Sequence, residues 1–342
     1  MRLLLGLYSL CFTGASLPML AAEKPMQIKL ATIAPRGSSY HQSLQQMGED
    51  WRKLSGGTVQ LVIYPDGTQG SEADTVGLMQ TRSLQASLLT VSGLSEIEPA
   101  VGALQFMPMA FRSLEEVDHV GERLRPRLAK SLEAKGYSVL FWTDSGWVRF
   151  FSKAPVLRPD DLRKLKIFSW AGSGRQADLW KSVGCTPVSL ESANIGQALM
   201  SGTISAVPVP PIFALFGQIY TDLGKAKYML EINWAPLVGA LVVKKEVLEK
   251  VPQSIREEMI KVAAGVGKTV TMNGRAENER AVDAMVKRGL TVTKLTSEVE
   301  SEWRAIAEKV YPKIRGGMVP AEVFDESMLL LKEYRKTGAK SP

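Results

Sequence analysis

The order of apolar periodicities at the start of this chain constrains its fold more than any other feature. MQIKLATIA alternates around Ile28 and Leu30 and reads as a strand. SSYHQSLQQMGEDWRKLSGG then places Tyr40, Leu44, Met47, Trp51 and Leu54 at helical spacing, with Ser38 or Ser39 to cap the start and Gly56 to end it. TVQLVIYPDG is a second strand closed by Pro65-Asp66-Gly67, Thr75 to Gln80 a second helix, and ASLLTVSG a third strand. Strands joined through helices pair in parallel, because each crossover must return the chain to the same edge direction. The opening β-α-β-α-β therefore predicts an α/β fold with helices on both faces of a sheet.

The alternation continues. SLEEVDHVGERLRPRLAKSLEAKG is a helix with Ser113 and Glu116 as a capping box and Val117, Val120, Leu124, Leu128 and Leu132 as its buried stripe; Pro126 is expected to kink or interrupt it. YSVLFWTDSG, WVRFFSK and DLRKLKIF follow, then a helix from about Gly174 to Val183, TPVSL, and a helix over Asn194 to Met200. ISAVPV, AKYMLEI and LVGALVVKK are further strands. Ile255, Met259, Val262 and Val266 mark one face of a helix reaching past Glu279. LTVTKLT is a short strand, and Ser297 with Glu300 forms another capping box ahead of Trp303, Ile306 and Val310. Two β-α sets joined by crossing strands predict two α/β lobes with a cleft between them, and such clefts are preferred ligand sites.

The N-terminal MRLLLGLYSLCFTGASLPMLAAEKP has one basic residue, an apolar run and a small-residue end, the pattern of a secretory signal cleaved after Ala22. No later run approaches the roughly 20 apolar residues that span a bilayer. Beyond that signal the only cysteine is Cys185, read as a small buried residue, so the fold rests on its apolar core rather than on a disulfide. The net charge of +7 is spread without a basic run, and no nucleic-acid-binding motif is present. His41 and His119 lie in separate helices without partners at metal-ligand spacing. No G-x-S-x-G, H-E-x-x-H or Walker lysine loop occurs, and AGSGR does not fit G-x-G-x-x-G. Neither a cofactor, a metal site nor catalysis is expected.

Six stretches stand in a recognisable order: TIAPRGSSYHQ, LSGGTVQLVIYPDGTQG, LQFMPMAFRSLEEV, VRFFSKAPVLRPDDLRKLKI, SVGCTPVSL and QALMSGTISAV. From about residue 26 to about 325 the chain resembles the solute-binding proteins of tripartite ATP-independent periplasmic (TRAP) transporters, of the kind named for C4-dicarboxylate uptake. The resemblance implies a two-lobed type II periplasmic-binding-protein fold with hinge and cleft, a long helix spanning both lobes, a periplasmic location, a small-molecule ligand and delivery to TRAP membrane permease subunits. The implied division is a signal at 1–22, lobe I at 23–146 plus about 236–275, lobe II at 147–235 plus about 276–330, and a C-terminal tail at 331–342.

Against that resemblance LKIFSWAGSGR is anomalous. The typical member has an arginine after DL-x-x-LKI that pairs with the ligand carboxylate; here the place holds Phe168, and one residue on stands Ser169. The polar motif after the following strand reads AVPVPPIFAL, whose Pro208, Pro210 and Pro211 supply no side-chain donors. A second family arginine is present as Arg149. Two readings follow. In one, Phe168 faces a core and Arg149, Arg175 or Arg36 holds an anion. In the other, which we favour, Phe168, Trp170, Trp147, Pro208, Pro210 and Trp234 line an apolar pocket for a hydrophobic or aromatic ligand, with Arg149 its one charged contact. Ser38, Ser39 and Tyr40, in the loop before the first helix, and Ser92, after the third strand, are expected to face the same cleft. Receptors lacking the arginine also resemble those that pair with a tetratricopeptide-repeat partner. An exported enzyme using a carboxylate such as Asp144 and a sensor subunit are the remaining alternatives.

Overall fold

A computed structural model describes residues 24–221 and 225–337. The expected signal at 1–22 lies outside the described residues. The first lobe opens with β1 (Met26–Thr32), α1 (Ser39–Leu54), β2 (Val59–Tyr64), α2 (Glu72–Gln80), β3 (Ala86–Thr90), α3 (Val91–Ile97), α4 (Leu114–Ala134) and β4 (Tyr137–Trp147). The second holds β5 (Arg149–Ser152), α5 (Pro159–Arg163), β6 (Lys166–Trp170), α6 (Gly174–Ser182), β7 (Thr186–Leu190), α7 (Ile195–Ser201), β8 (Ala206–Val209), α8 (Pro211–Phe216) and β9 (Tyr228–Glu231). The chain then returns through β10 (Pro236–Lys244), α9 (Lys245–Leu248), α10 (Gln253–Val286), β11 (Thr291–Lys294), α11 (Ser297–Ile314) and α12 (Ala321–Lys336).

The strands form two sheets, ordered β2-β1-β3-β10-β4 and β11-β9-β5-β8-β6-β7. β1 pairs in parallel with β2 and β3, as the β-α-β-α-β opening requires, and β10 enters antiparallel between β3 and β4. Helices cover both faces of each sheet. On one face of the first, Ile28 and Leu30 meet Leu44, Met47 and Trp51 of α1; on the other, Leu89 packs with Val120, Leu124 and Leu128 of α4. In the second, Phe151 and Phe168 face α7 and α8, while Phe150 and Ile167 face Trp180 and Trp303.

Two strand connections and one helix join the lobes. Val148 alone separates β4 from β5, and its N–H donates to Ala235 O at 2.8 Å in the connection from β9 to β10. The helix is α10, which buries Met259, Ala263 and Val270 in the first lobe and Ala281 and Met285 in the second. Asn278 ties it to the crossing: its amide donates to Ser145 O and accepts from Ile212 N at 2.9 Å.

Several local expectations are corrected. α4 runs unbroken through Pro126, whose exposed side of the helix lets water satisfy the carbonyl that proline cannot bond. The cap of α11 is Thr296, whose Oγ1 accepts from Val299 N at 3.4 Å; Ser297 is already helical. Ser39 and Tyr40 belong to α1 rather than to the loop before it, and Ser38 is the cap. Residues 331–336 are not a tail but the end of α12, with Leu331 buried. From Val310 onward the C-terminal segment packs on the first lobe, not the second. Ile314, Val319, Val323 and Phe324 complete the apolar face that α4 leaves open, and Arg335 pairs with the buried Glu116 at 2.7 Å.

Candidate functional site

β6 carries the anomalous stretch to the boundary between the lobes. Phe168 is fully buried in the second lobe's core and also borders the cleft. Trp170, two residues on and on the same face, meets Phe168 edge-on at 4.9 Å and 77° and Phe213 at 6.0 Å and 87°. Pro208 and Pro210 flank them from β8 and the residue after it. Trp234, in the connection between β9 and β10, stacks on Trp180 of α6 at 5.4 Å and 17°.

These side chains line a cleft that opens to solvent. The first lobe contributes Gln105, Phe106, Pro108 and Leu237, and the C-terminal segment Ile306, Val310 and Met318. Among the described residues no charged side chain lines it, and apart from indole N–H groups Gln105 and Gln176 are its polar side chains. The structure thus brings together five expected residues: Phe168, Trp170, Pro208, Pro210 and Trp234.

The other expected residues lie elsewhere. Ser38 and Tyr40 border a neighbouring recess of about 530 Å³ that shares Leu237 with the cleft. Their hydroxyls are committed: Ser38 Oγ donates to Pro35 O at 2.6 Å, and Tyr40 Oη donates to Asp144 O at 2.8 Å and accepts from Ser145 Oγ. Burial pushes the Tyr40 hydroxyl well above the ordinary phenol range. Ser92 borders a smaller polar recess, which meets the cleft at Trp170. There Glu72 accepts from Thr90 and Gly93, and desolvation holds its carboxyl above the usual range.

Ser39, Trp147, Arg149 and Arg175 line none of these three spaces. Ser39 Oγ donates to Glu277 at 2.6 Å, and Trp147 packs against the first lobe's core. Arg175 is exposed in the first turn of α6, and Arg36 is an exposed partner of Asp66. Arg149 is half-buried on β5, where it pairs with Val209 of β8, and its guanidinium has no hydrogen bond or ion pair among the described residues; desolvation lowers its pKa, partly offset by Glu231. Asp144 is no free base: its buried carboxylate accepts from Arg275 at 2.9 and 2.7 Å and from Gly146 N at 3.0 Å, while Arg275 also pairs with Asp118.

Sequence reasoning missed Gln105, Phe106, Gln176, Trp180 and Ile306. Their helical or loop patterns carry no mark of the cleft; the one local signal is a lone amide inside the apolar run LQFMPMAF. Among the described residues no group of three or more His, Cys, Asp or Glu is arranged to hold a metal ion.

The profile of DctP, the bacterial extracellular solute-binding protein family 7, matches residues 30–316. The C4-dicarboxylate-binding periplasmic protein DctP of Rhodobacter capsulatus is 24% identical over 320 residues, 92% of this chain and 93% of that one. The crystal structure of a TRAP periplasmic solute-binding protein from Ralstonia eutropha H16 with bound (S)-2-acetolactate superposes with a TM-score of 0.83 at 17% identity, covering 90% of this chain and 99% of that one. DctP7, an extracytoplasmic solute receptor of Bordetella pertussis binding pyroglutamic acid, superposes with a TM-score of 0.80 at 17% identity over the same shares, 90% and 99%.

Proposed function

The chain belongs to bacterial extracellular solute-binding protein family 7, the DctP-type TRAP receptors, and from that premise we propose that its cleft takes an apolar or aromatic solute and hands it to a membrane permease. The carrying observation is a cleft in whose wall, among the described residues, no charged side chain stands. A carboxylate buried there would lose its hydration with no cation to replace it, at a cost of several kcal/mol. An apolar body instead gains roughly 25 cal/mol for each Å² it removes from water, and the aromatic walls add ring-edge contacts. The reading is one of binding without turnover, since Asp144 is held in its ion pair with Arg275. Delivery to a permease, and export to the periplasm, follow the pattern of the family.

Native mass spectrometry of the purified protein, followed by denaturation and identification of what is released, tests this reading. Release of an apolar or aromatic compound supports it; release of a small carboxylate overturns it.

One observation favours the alternative, a small carboxylate held by Arg149 with Arg175. Arg149 is a largely desolvated guanidinium without an ion pair among the described residues. An anion entering beside it would gain a two-pronged partner. On that reading Arg149→Ala abolishes binding and simple dicarboxylates compete; on the apolar reading neither holds.

A further inference from the structure

Gln105 ends the turn of 3-10 helix at Pro99–Leu104 and lies in the cleft wall. It is 7% exposed, and its side-chain oxygen accepts from Val238 N at 2.9 Å. A backbone N–H can only donate, so this contact fixes which end of the amide is oxygen. The nitrogen, Nε2, is left at the cleft wall with two N–H donors and no protein acceptor among the described residues. Phe106, Pro108, Val148 and Leu237 of the same wall offer no side-chain acceptor; Gln176 is the wall's other amide among the described residues. Nε2 is not sealed off in the free protein, so water meets it there; an apolar solute that displaces this water leaves the N–H groups unpaired unless the solute itself supplies an acceptor.

We infer that Gln105 is a specificity-determining residue that reads a hydrogen-bond acceptor, of carbonyl type, on an otherwise apolar ligand. This rests on the apolar reading of the cleft and adds a chemical class to it: a ketone, amide, lactone or quinone rather than a plain hydrocarbon. Val238 N–H gives the donor its fixed direction, so an acceptor is selected and a second donor is rejected. Discrimination of this kind exceeds what apolar fit alone supplies, because the wrong ligand leaves the amide unpaired.

Two nearly isosteric probes test the inference on the whole protein by equilibrium dialysis. They are 2-acetylnaphthalene, which carries a carbonyl, and 2-isopropylnaphthalene, which does not. The ketone is expected to bind about tenfold more tightly, although the hydrocarbon is the more hydrophobic of the two. Equal binding, or tighter binding of the hydrocarbon, overturns the role of Gln105 and leaves the apolar cleft standing. Binding of neither probe overturns the apolar reading itself.

The variant Gln105→Glu separates a ligand contact from a structural one. It keeps an oxygen for Val238 N–H and replaces the amide nitrogen with a group that donates only when protonated. Its affinity for the ketone is expected to approach the wild type below about pH 4, where the carboxyl is protonated, and to fall about tenfold or more as it ionises, while the wild-type profile stays flat. A flat profile for this variant sinks the inference. If the variant does not fold, as judged by far-ultraviolet circular dichroism, the probe pair on the wild type still decides.

Discussion

Asp144 ties the long helix α10 to the first lobe's sheet. Its carboxylate is fully buried, and Arg275, mostly buried, answers it with two nitrogens. Asp144→Asn leaves that guanidinium short of charge, so unfolding in urea is expected to show a loss of about 2 kcal/mol, discounted because Asp118 still holds Arg275. At Cys185 burial pushes the thiol up to about 11, with Arg163 pulling the other way. The protonated form is favoured in the folded state, so this group's share of stability is full below the ordinary thiol value and is lost as pH rises through about 11. N-ethylmaleimide at pH 8 is therefore expected to label Cys185 slowly in the native protein and rapidly in urea, as read by intact mass; fast native labelling would refute the burial. At this scale Phe168 and Trp170 stood out in the sequence, because an aromatic pair occupies the place where the resemblance implied a cation. Gln105 did not. Its meaning comes from Val238, 133 residues away in sequence, and no local pattern encodes such a partner.

Among the elements α10 carries the strongest constraint. Gly274 faces Tyr40, and a Cβ there would lie 2.9 Å from Tyr40 Cζ and closer still to its hydroxyl. Gly274→Ala would ordinarily gain about 1 kcal/mol of helix propensity. Here the ring cannot yield without breaking its bonds to Asp144 O and Ser145, so a net loss of about 1–3 kcal/mol in thermal or urea unfolding is expected. The end of α11 shows the same economy on a smaller scale: Thr296→Ala should cost about 1 kcal/mol, because Val299 N loses its acceptor. Strand and helix identities were largely legible from periods of two and 3.6. What periodicity does not state is which core an apolar stripe meets. Val310 reads as the continuation of Trp303 on one helix, yet Trp303 packs on the second lobe and Val310 on the first. The helix passes from one core to the other, and only the tertiary fold reveals where.

For the whole molecule, three of the seven tryptophans, Trp170, Trp180 and Trp234, sit in the cleft wall. An apolar solute that displaces water from them is expected to shift the emission to shorter wavelength. A carboxylate held at Arg149, which lines none of that wall, leaves it nearly unchanged; a fluorescence titration distinguishes the two. The two-lobed plan was legible from the repeated β-α sets, since crossing strands have no other economical route. The cleft's contents were not, because its wall draws on both lobes and on the C-terminal segment. The paired crossings at Val148 and Ala235 also have a mechanical side. They lie next to each other, bonded at 2.8 Å, and both belong to the cleft wall. Because α10 ties the lobes a third time, the two strands do not by themselves form a free hinge: turning one lobe on the other also requires α10 to bend, or to slide in one of its two cores.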